Sequence, residues 1–364
     1  MLGSLNRTQR RVVGAAVALS AAAAATHFSP VPQVARFVVA AAALASVAAL
    51  VGTAIEQVGE HLGPGPTGLL QSGLGNLPEL FVAVFALRQG LVRVVQAALV
   101  GSVLSNVLLV LGLALLSGGL RHGPQRFPPQ APRMIATLLV LAVGALLVPT
   151  VAVHLHTPAS GHAATLSMVC AVFLLIVYLA SIPFWLRGGP APSDHSASAP
   201  GEGSAAGPSF SPWPLRLSVT LLVVGSGLSA VVSDWFVAAL DPAISSLHLS
   251  QAFTGLVVVA IASNAVENAV GVRFALRARP DFALSTILNS PLQVALLLTP
   301  ALVLASPAIG GSRLTLVFPP LMVVGLAVAA VVMVIVVYDG EYTWLEGVAL
   351  VALYAIVATA FWWG

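Results

Sequence analysis

Two glutamates, Glu79 and Glu267, each follow an asparagine by three positions, Asn76 and Asn264, inside stretches that are otherwise apolar. On a helix that spacing puts an amide oxygen and a carboxylate on one face. Two such pairs begin a shell for a hard cation, since Ca²⁺ takes about six to eight oxygens from carboxylates, amide and backbone carbonyls and water. An ionised carboxylate near the middle of a membrane helix costs roughly 2.5–3.5 kcal/mol on insertion scales, so a pair of them needs a compensating role. A shared cation supplies one. When it leaves, protonation of the same two groups neutralises the empty site, so Ca²⁺ and protons would compete for Glu79 and Glu267. The single cysteine, Cys170, lies in a separate apolar run and no histidine adjoins either glutamate, which disfavours a soft-metal site.

Both pairs belong to a repeat. Gly75-Asn76-Leu77-Pro78-Glu79, Phe85-Ala86-Leu87-Arg88 and Gly101-Ser102-Val103-Leu104-Ser105 correspond in order to Ser263-Asn264-Ala265-Val266-Glu267, Phe274-Ala275-Leu276-Arg277 and Asn289-Ser290-Pro291-Leu292-Gln293. The interval from glutamate to the following serine is equal in the two copies. Pro78 removes one helical N–H and frees the carbonyl of Leu74, while Gly73 and Gly75 loosen the same region, which makes backbone ligands available. Ser102, Ser105, Ser290 and Gln293, with Ser263 beside Asn264, are supporting residues that complete the shell or hold the glutamates. The alternative for these small polar groups is packing between membrane helices.

The elements that must position these residues are membrane helices. The 364 residues are 58% hydrophobic and 7% charged, with a mean hydropathy of +0.99, against about 25% charged residues in soluble domains. Apolar runs suggest spans at roughly 12–27, 35–57, 68–87, 93–117, 133–153, 163–186, 214–239, 248–276, 282–305, 314–338 and 343–363. The expected fold is therefore an all-α polytopic membrane protein of about eleven helices, the first of which also resembles a signal peptide. All six tryptophans fall near span ends, where an indole prefers the headgroup level.

On this scheme eleven arginines face the N-terminal side and four the other, which predicts a cytoplasmic N-terminus and an external C-terminus in the cell membrane. Without lysine, and with its arginines scattered between apolar runs, the chain offers no nucleic-acid surface despite its basic balance. Residues 188–213, rich in Gly, Pro, Ser and Ala, read as a flexible cytoplasmic linker. It separates a tail and leading helix (1–34) and a five-helix repeat (35–187) from a second five-helix repeat (214–364). An odd number of spans per repeat inverts one relative to the other, as in many secondary transporters. Glu56 is either an entrance acid or a solvated helix end, Asp234 and Glu346 are expected to be interfacial or structural, and His154, His156 and His162 share an external loop.

These motifs resemble the Ca²⁺/H⁺ exchanger (CAX) family of the calcium/cation antiporter superfamily. The first half is similar to the family pattern G-L-L-N-A-T-F-G-N-A-x-E-L through Gly68 to Leu80, then to G-S-x-L-S-N-x-L-L-V-L-G through Gly101 to Gly112. The second is similar to G-N-A-x-E-H through Ser263 to Asn268, and the last span to D-G-x-x-x-W-L-E-G through Asp339 to Gly347. The resemblance implies an eleven-helix fold, Glu79 and Glu267 as the principal ligands, Ca²⁺ and H⁺ as transported ions in a lipid bilayer, and no cofactor. Ser263 and Asn289 replace glycines usual in the family, Pro291 is unusual there, and Asn268 stands where histidine is common, changes that bear on cation preference and proton coupling. Pro78 is similar to the Na⁺/Ca²⁺ branch, so exchange of Na⁺ or of another cation such as Mn²⁺ is the alternative. A non-transporting scaffold is the alternative from another class. No nucleophile and base pair or intramembrane metal motif points to an enzyme.

Overall fold

The computed structural model describes residues 7–62, 70–71, 73–186 and 213–363, and within them every side chain except those of 7, 8, 184–186, 266 and 267. Apart from Trp213, the expected linker lies outside the described residues. The helices are α1 (Arg7–His27), α2 (Gln33–Leu62), α3 (Leu77–Arg88), α4 (Val92–His122), α5 (Gln130–His154), α6 (Ala163–Leu186), α7 (Leu215–Leu247), α8 (Gln251–Ala265 and Asn268–Leu276), α9 (Pro280–Ile309), α10 (Pro320–Tyr338) and α11 (Trp344–Trp362). Among the described residues, eight of them are long and apolar enough to cross a membrane, and α8, bent by 66°, makes nine if counted as one span. The expected eleven spans are not all matched by that measure. Helix α1 carries Arg10 and Arg11 on an alanine-rich stretch, and α3 has 12 residues, about 18 Å against a hydrocarbon core of about 30 Å.

Packing groups the helices differently from chain order, into one unit of Met1–Val82 with Asp194–Ser246 and another of Ala83–Ser193 with Leu247–Gly364. In the first unit, α1 turns into α2 through Pro30 and Pro32, and the Arg36 guanidinium donates to the carbonyls of Thr26 and Ser29 at 3.1 and 3.0 Å, satisfying the helix end. Helix α7 packs on α2 with Phe236 stacked on Phe37, and Gly225 admits Val51 and Leu50. Trp213 departs from the expected headgroup position. It is 1% exposed, and its backbone N–H donates to the Gln57 side-chain oxygen at 3.0 Å. Its indole fills protein rather than meeting lipid. Trp344, Trp362 and Trp363 remain exposed at the ends of α11, as an interfacial belt requires.

In the second unit, α4 and α8 cross backbone to backbone. A Cβ at Gly101 would collide with Leu256, and one at Gly255 would lie 2.5 Å from the Val94 carbonyl oxygen. Gly112 and Gly347 give α4 the same approach to α11. Such small-residue seams let membrane helices pack by van der Waals contact where no hydrophobic driving force acts. One short departure from the all-helical expectation ties two loops: Gln125–Arg126 pairs antiparallel with Glu341–Tyr342, and the Arg126–Glu341 ion pair spans 2.9 Å. Burial pushes the Tyr342 hydroxyl pKa up to about 12, so it stays protonated. Glu346 has a structural role, because it forms a capping box with Thr343 at the start of α11.

The span expected from 314 begins only at Pro320. Residues 310–319 are not helical, although Leu314, Leu316 and Phe318 are buried. Gly310 and Gly311, with φ of 81° and 89°, turn the chain out of α9, a conformation that glycine adopts freely. Alternating burial follows the two-residue period of extended backbone, and the apolar content that suggested a helix belongs to a non-helical segment whose alternate residues face inward.

The glycine seam is directly testable. Gly101→Leu should cost about 1–3 kcal/mol or prevent folding, read as loss of monodisperse protein on size-exclusion chromatography. Gly144→Leu should be tolerated, because nothing lies within 4 Å of a Cβ there. Equal yields from the two variants would contradict the packing described.

Candidate cation site

The first motif sits at a break in the chain. Residues 73–74 are helical, Gly75 and Asn76 form a turn, and α3 starts at Leu77. Pro78 thus falls in the first turn of α3, where its missing N–H costs no helical bond, and the interruption at Gly75 and Asn76 is more complete than the expected proline loosening. The Gly75 N–H closes the preceding turn on the Gln71 carbonyl at 2.9 Å, and the Asn76 carbonyl accepts the Leu80 N–H at 2.9 Å. Asn76 is buried. Glu79 lies in the first turn of α3, where the helix N-terminus favours negative charge.

The second motif shows how the repeat builds a site. Asn264 on α8 is 3% exposed and Ser102 on α4 is 2% exposed. The Asn264 amide nitrogen donates to Ser102 Oγ at 3.0 Å and to the Ala260 carbonyl at 3.1 Å. Ser290 Oγ, on α9, donates to Asn264 Oδ1 at 3.5 Å, the long limit of such a bond. One asparagine therefore links three helices, and these donors orient its carbonyl oxygen, which has two lone pairs. Ser263 Oγ bonds back to the Val259 carbonyl at 3.0 Å and sits 3.5 Å from the Asn264 amide. The Glu267 side chain lies outside the described residues, but the bend of α8 falls between Ala265 and Asn268, the stretch that holds Glu267.

Wide π turns mark the same places. One starts at Ser105 and runs to Val110 in α4, another runs from Val294 to Leu298 in α9 directly after Gln293, and a third spans Thr254–Val259 in α8. Ser105 Oγ donates to the Ser102 carbonyl at 3.2 Å, and both Ser105 and Gln293 are buried. Such turns shift backbone carbonyls off the regular ladder and are frequent at functional sites.

Of the expected residues, Asn264, Ser102, Ser290 and Ser263 are joined by hydrogen bonds, with Ser105 and Gln293 further along the same helices. Leu74, Gly75, Asn76 and Glu79 belong to the first packing unit. Sequence reasoning passes over Asn106, which is 1% exposed and donates its amide to the Ser102 carbonyl at 2.9 Å. Its position four residues after Ser102, within the G-S-x-L-S-N stretch, is the signal that points to it. The loop histidines do not gather: His154 bonds the Thr150 carbonyl at 2.9 Å, and among the described residues no group of three His, Cys, Asp or Glu could hold a metal. Glu56 is an exposed residue of α2.

The profile of the family described as "Sodium/calcium exchanger protein" matches residues 33–186 and 217–363. The chain belongs to this family. It is 38% identical over 336 residues to the Ca(2+)/H(+) antiporter of Synechocystis sp., covering 89% of this chain and 90% of that one. It is 30% identical over 362 residues to the Ca(2+)/H(+) antiporter ChaA of Bacillus subtilis, covering 98% and 99%. The solved structure of native YfkE is similar with a TM-score of 0.79 and 28% identity over 97% of this chain and 99% of that one. The H+/Ca2+ exchanger CAX, at a TM-score of 0.73 and 16% identity over 98% of this chain and 92% of that one, shares the fold. The resemblance read from the two motifs is thereby established for most of the chain, and this family member is an integral membrane protein of the all-helical exchanger fold.

The Asn264 link predicts unequal costs. Asn264→Leu removes the bonds to the Ser102 and Ser290 hydroxyls and should lower stability by about 1–3 kcal/mol. Ser102→Ala leaves Asn264 the Ala260 carbonyl as acceptor and should cost about 1 kcal/mol or less. Thermal unfolding in detergent distinguishes them, and a larger loss in Ser102→Ala would contradict the assignment of Asn264 as the hub.

Proposed function

We propose that this protein is a secondary antiporter that exchanges Ca²⁺ for protons across the cell membrane by alternating access. The observation that carries this reading is the alignment of nearly the whole chain with relatives named Ca(2+)/H(+) antiporters. The buried amide-hydroxyl link at Asn264 supports it from the side of geometry. Glu79 and Glu267 hold the metal and protons in turn. Asn76 and Asn264 contribute amide oxygens, the backbone at Leu74, Gly75 and Ser263 contributes carbonyls, and Ser102, Ser105, Ser290 and Gln293 orient these donors.

No covalent chemistry is required. The work is the exchange of one hydration shell for protein oxygens, followed by neutralisation of the vacated carboxylates with protons, so that the empty site reopens to the first side without uncompensated charge. Two inverted five-helix repeats, 35–187 and 214–364, expose the site to alternate sides, with the N-terminus in the cytoplasm and the C-terminus outside.

In proteoliposomes with an imposed pH gradient and a luminal Ca²⁺ dye, the protein should take up Ca²⁺ against proton efflux. The apparent KM for Ca²⁺ should fall as pH rises on the binding side, because fewer protons compete. Glu79→Gln should reduce uptake to background while the protein remains folded. Uptake driven by a Na⁺ gradient alone would replace this reading with Na⁺/Ca²⁺ exchange, and absence of flux with every cation tested would replace it with the scaffold.

A further inference from the structure

The segment 310–319 between α9 and α10 is held along its length by side chains of the helices around it. Its N–H groups at Leu314, Leu316 and Phe318 donate to Ser306 Oγ of α9 at 3.1 Å, Ser167 Oγ of α6 at 3.0 Å and Thr150 Oγ1 of α5 at 2.9 Å. Thr150 Oγ1 donates in return to the Leu316 carbonyl at 2.9 Å. The Ser312 N–H reaches the Leu87 carbonyl at the end of α3, at 3.3 Å. Non-helical backbone is tolerated within a membrane protein only where its polar groups are met in this way.

Helix α4 is tied to this strap by one residue. The buried Gln96 side-chain amide donates to the carbonyls of both Thr315 and Val317, at 3.2 and 2.8 Å. One nitrogen within hydrogen-bond reach of two carbonyls must sit between them. The pair of bonds therefore fixes the height of α4 along its own axis. The Gly101 and Gly255 seam sets how closely α4 approaches α8. Six residues beyond Gln96 on the same rigid helix stands Ser102, the acceptor of the Asn264 amide.

We propose that Gln96 is a positioning residue for cation binding: clamped to the strap carbonyls, it sets the axial register of α4 and so the placement of Ser102 against Asn264. This rests on the reading of Asn264 and Ser102 as part of the cation site. Strap anchors on other helices stabilise the fold without setting that register.

The test uses the full chain in proteoliposomes, with Ca²⁺ as the probe, a pH gradient, and thermal unfolding of each variant. Gln96→Leu keeps the volume and removes both bonds, and should raise the KM for Ca²⁺ roughly tenfold, the usual scale for a lost outer-shell partner, with the rate at saturating Ca²⁺ little changed. Ser167→Ala should lower the thermal midpoint and leave KM unmoved. Gln96→Glu can donate one bond when protonated and none when ionised, so its KM relative to the unsubstituted protein at the same pH should grow as pH rises. Equal KM shifts in Gln96→Leu and Ser167→Ala, lost thermal stability in Gln96→Leu with KM unmoved, or a pH-independent ratio for Gln96→Glu would overturn the proposal. An inactive Glu79→Gln beside an unmoved Gln96→Leu removes this proposal alone, whereas an active Glu79→Gln removes the cation-site reading beneath it.

Discussion

A polar group that water cannot reach must find its partner inside the protein, and in a chain that is 58% hydrophobic this constraint organises the rest. It explains why Asn264 is linked to helices α4 and α9 as well as to its own helix. The same constraint threads an extended segment past Thr150, Ser167, Ser306 and Gln96, each meeting its backbone groups. These contacts are directional, unlike the apolar packing around them, and directional contacts hold oxygens at fixed positions where a cation could exchange its water for them.

The helices are irregular where the motifs lie. A turn at Gly75 and Asn76 precedes Glu79, the bend of α8 falls between Ala265 and Asn268, and wide turns begin at Ser105 and directly after Gln293. A regular helix consumes its own carbonyls and presents only side chains. Breaks release backbone dipoles and place helix ends near buried charge, as transporter sites near the bilayer midplane do. The repeated sequence is accordingly repeated as helix irregularity.

Much of this is legible in the order of the residues alone. The paired Asn and Glu motifs, the serines at matched intervals and the apolar runs are local signals, and the bonds among Asn264, Ser102 and Ser290 follow the order in which the repeat presents those residues. What the sequence hides depends on long-range placement. Leu314, Leu316 and Phe318 carry the hydropathy of a span, and only their alternating burial separates a non-helical segment from the start of a helix. Trp213 has the composition of an interfacial anchor, but a partner far away in sequence, Gln57, draws it inside. Gln96 reads as a stray polar residue in α4 because its partners lie more than two hundred positions later. Periodicity likewise cannot tell which helices pack together, and the interleaved units emerge only from tertiary contacts.

The central claim is that one pair of carboxylates serves metal and proton alternately. Isothermal titration of the purified protein with Ca²⁺, repeated in buffers of different ionisation enthalpy, reads this directly as protons released per ion bound. The account predicts net proton release that rises as the starting pH is lowered through the range where the empty site is protonated, and that is lost in Glu79→Gln. Ca²⁺ binding with no proton release at any pH would contradict it.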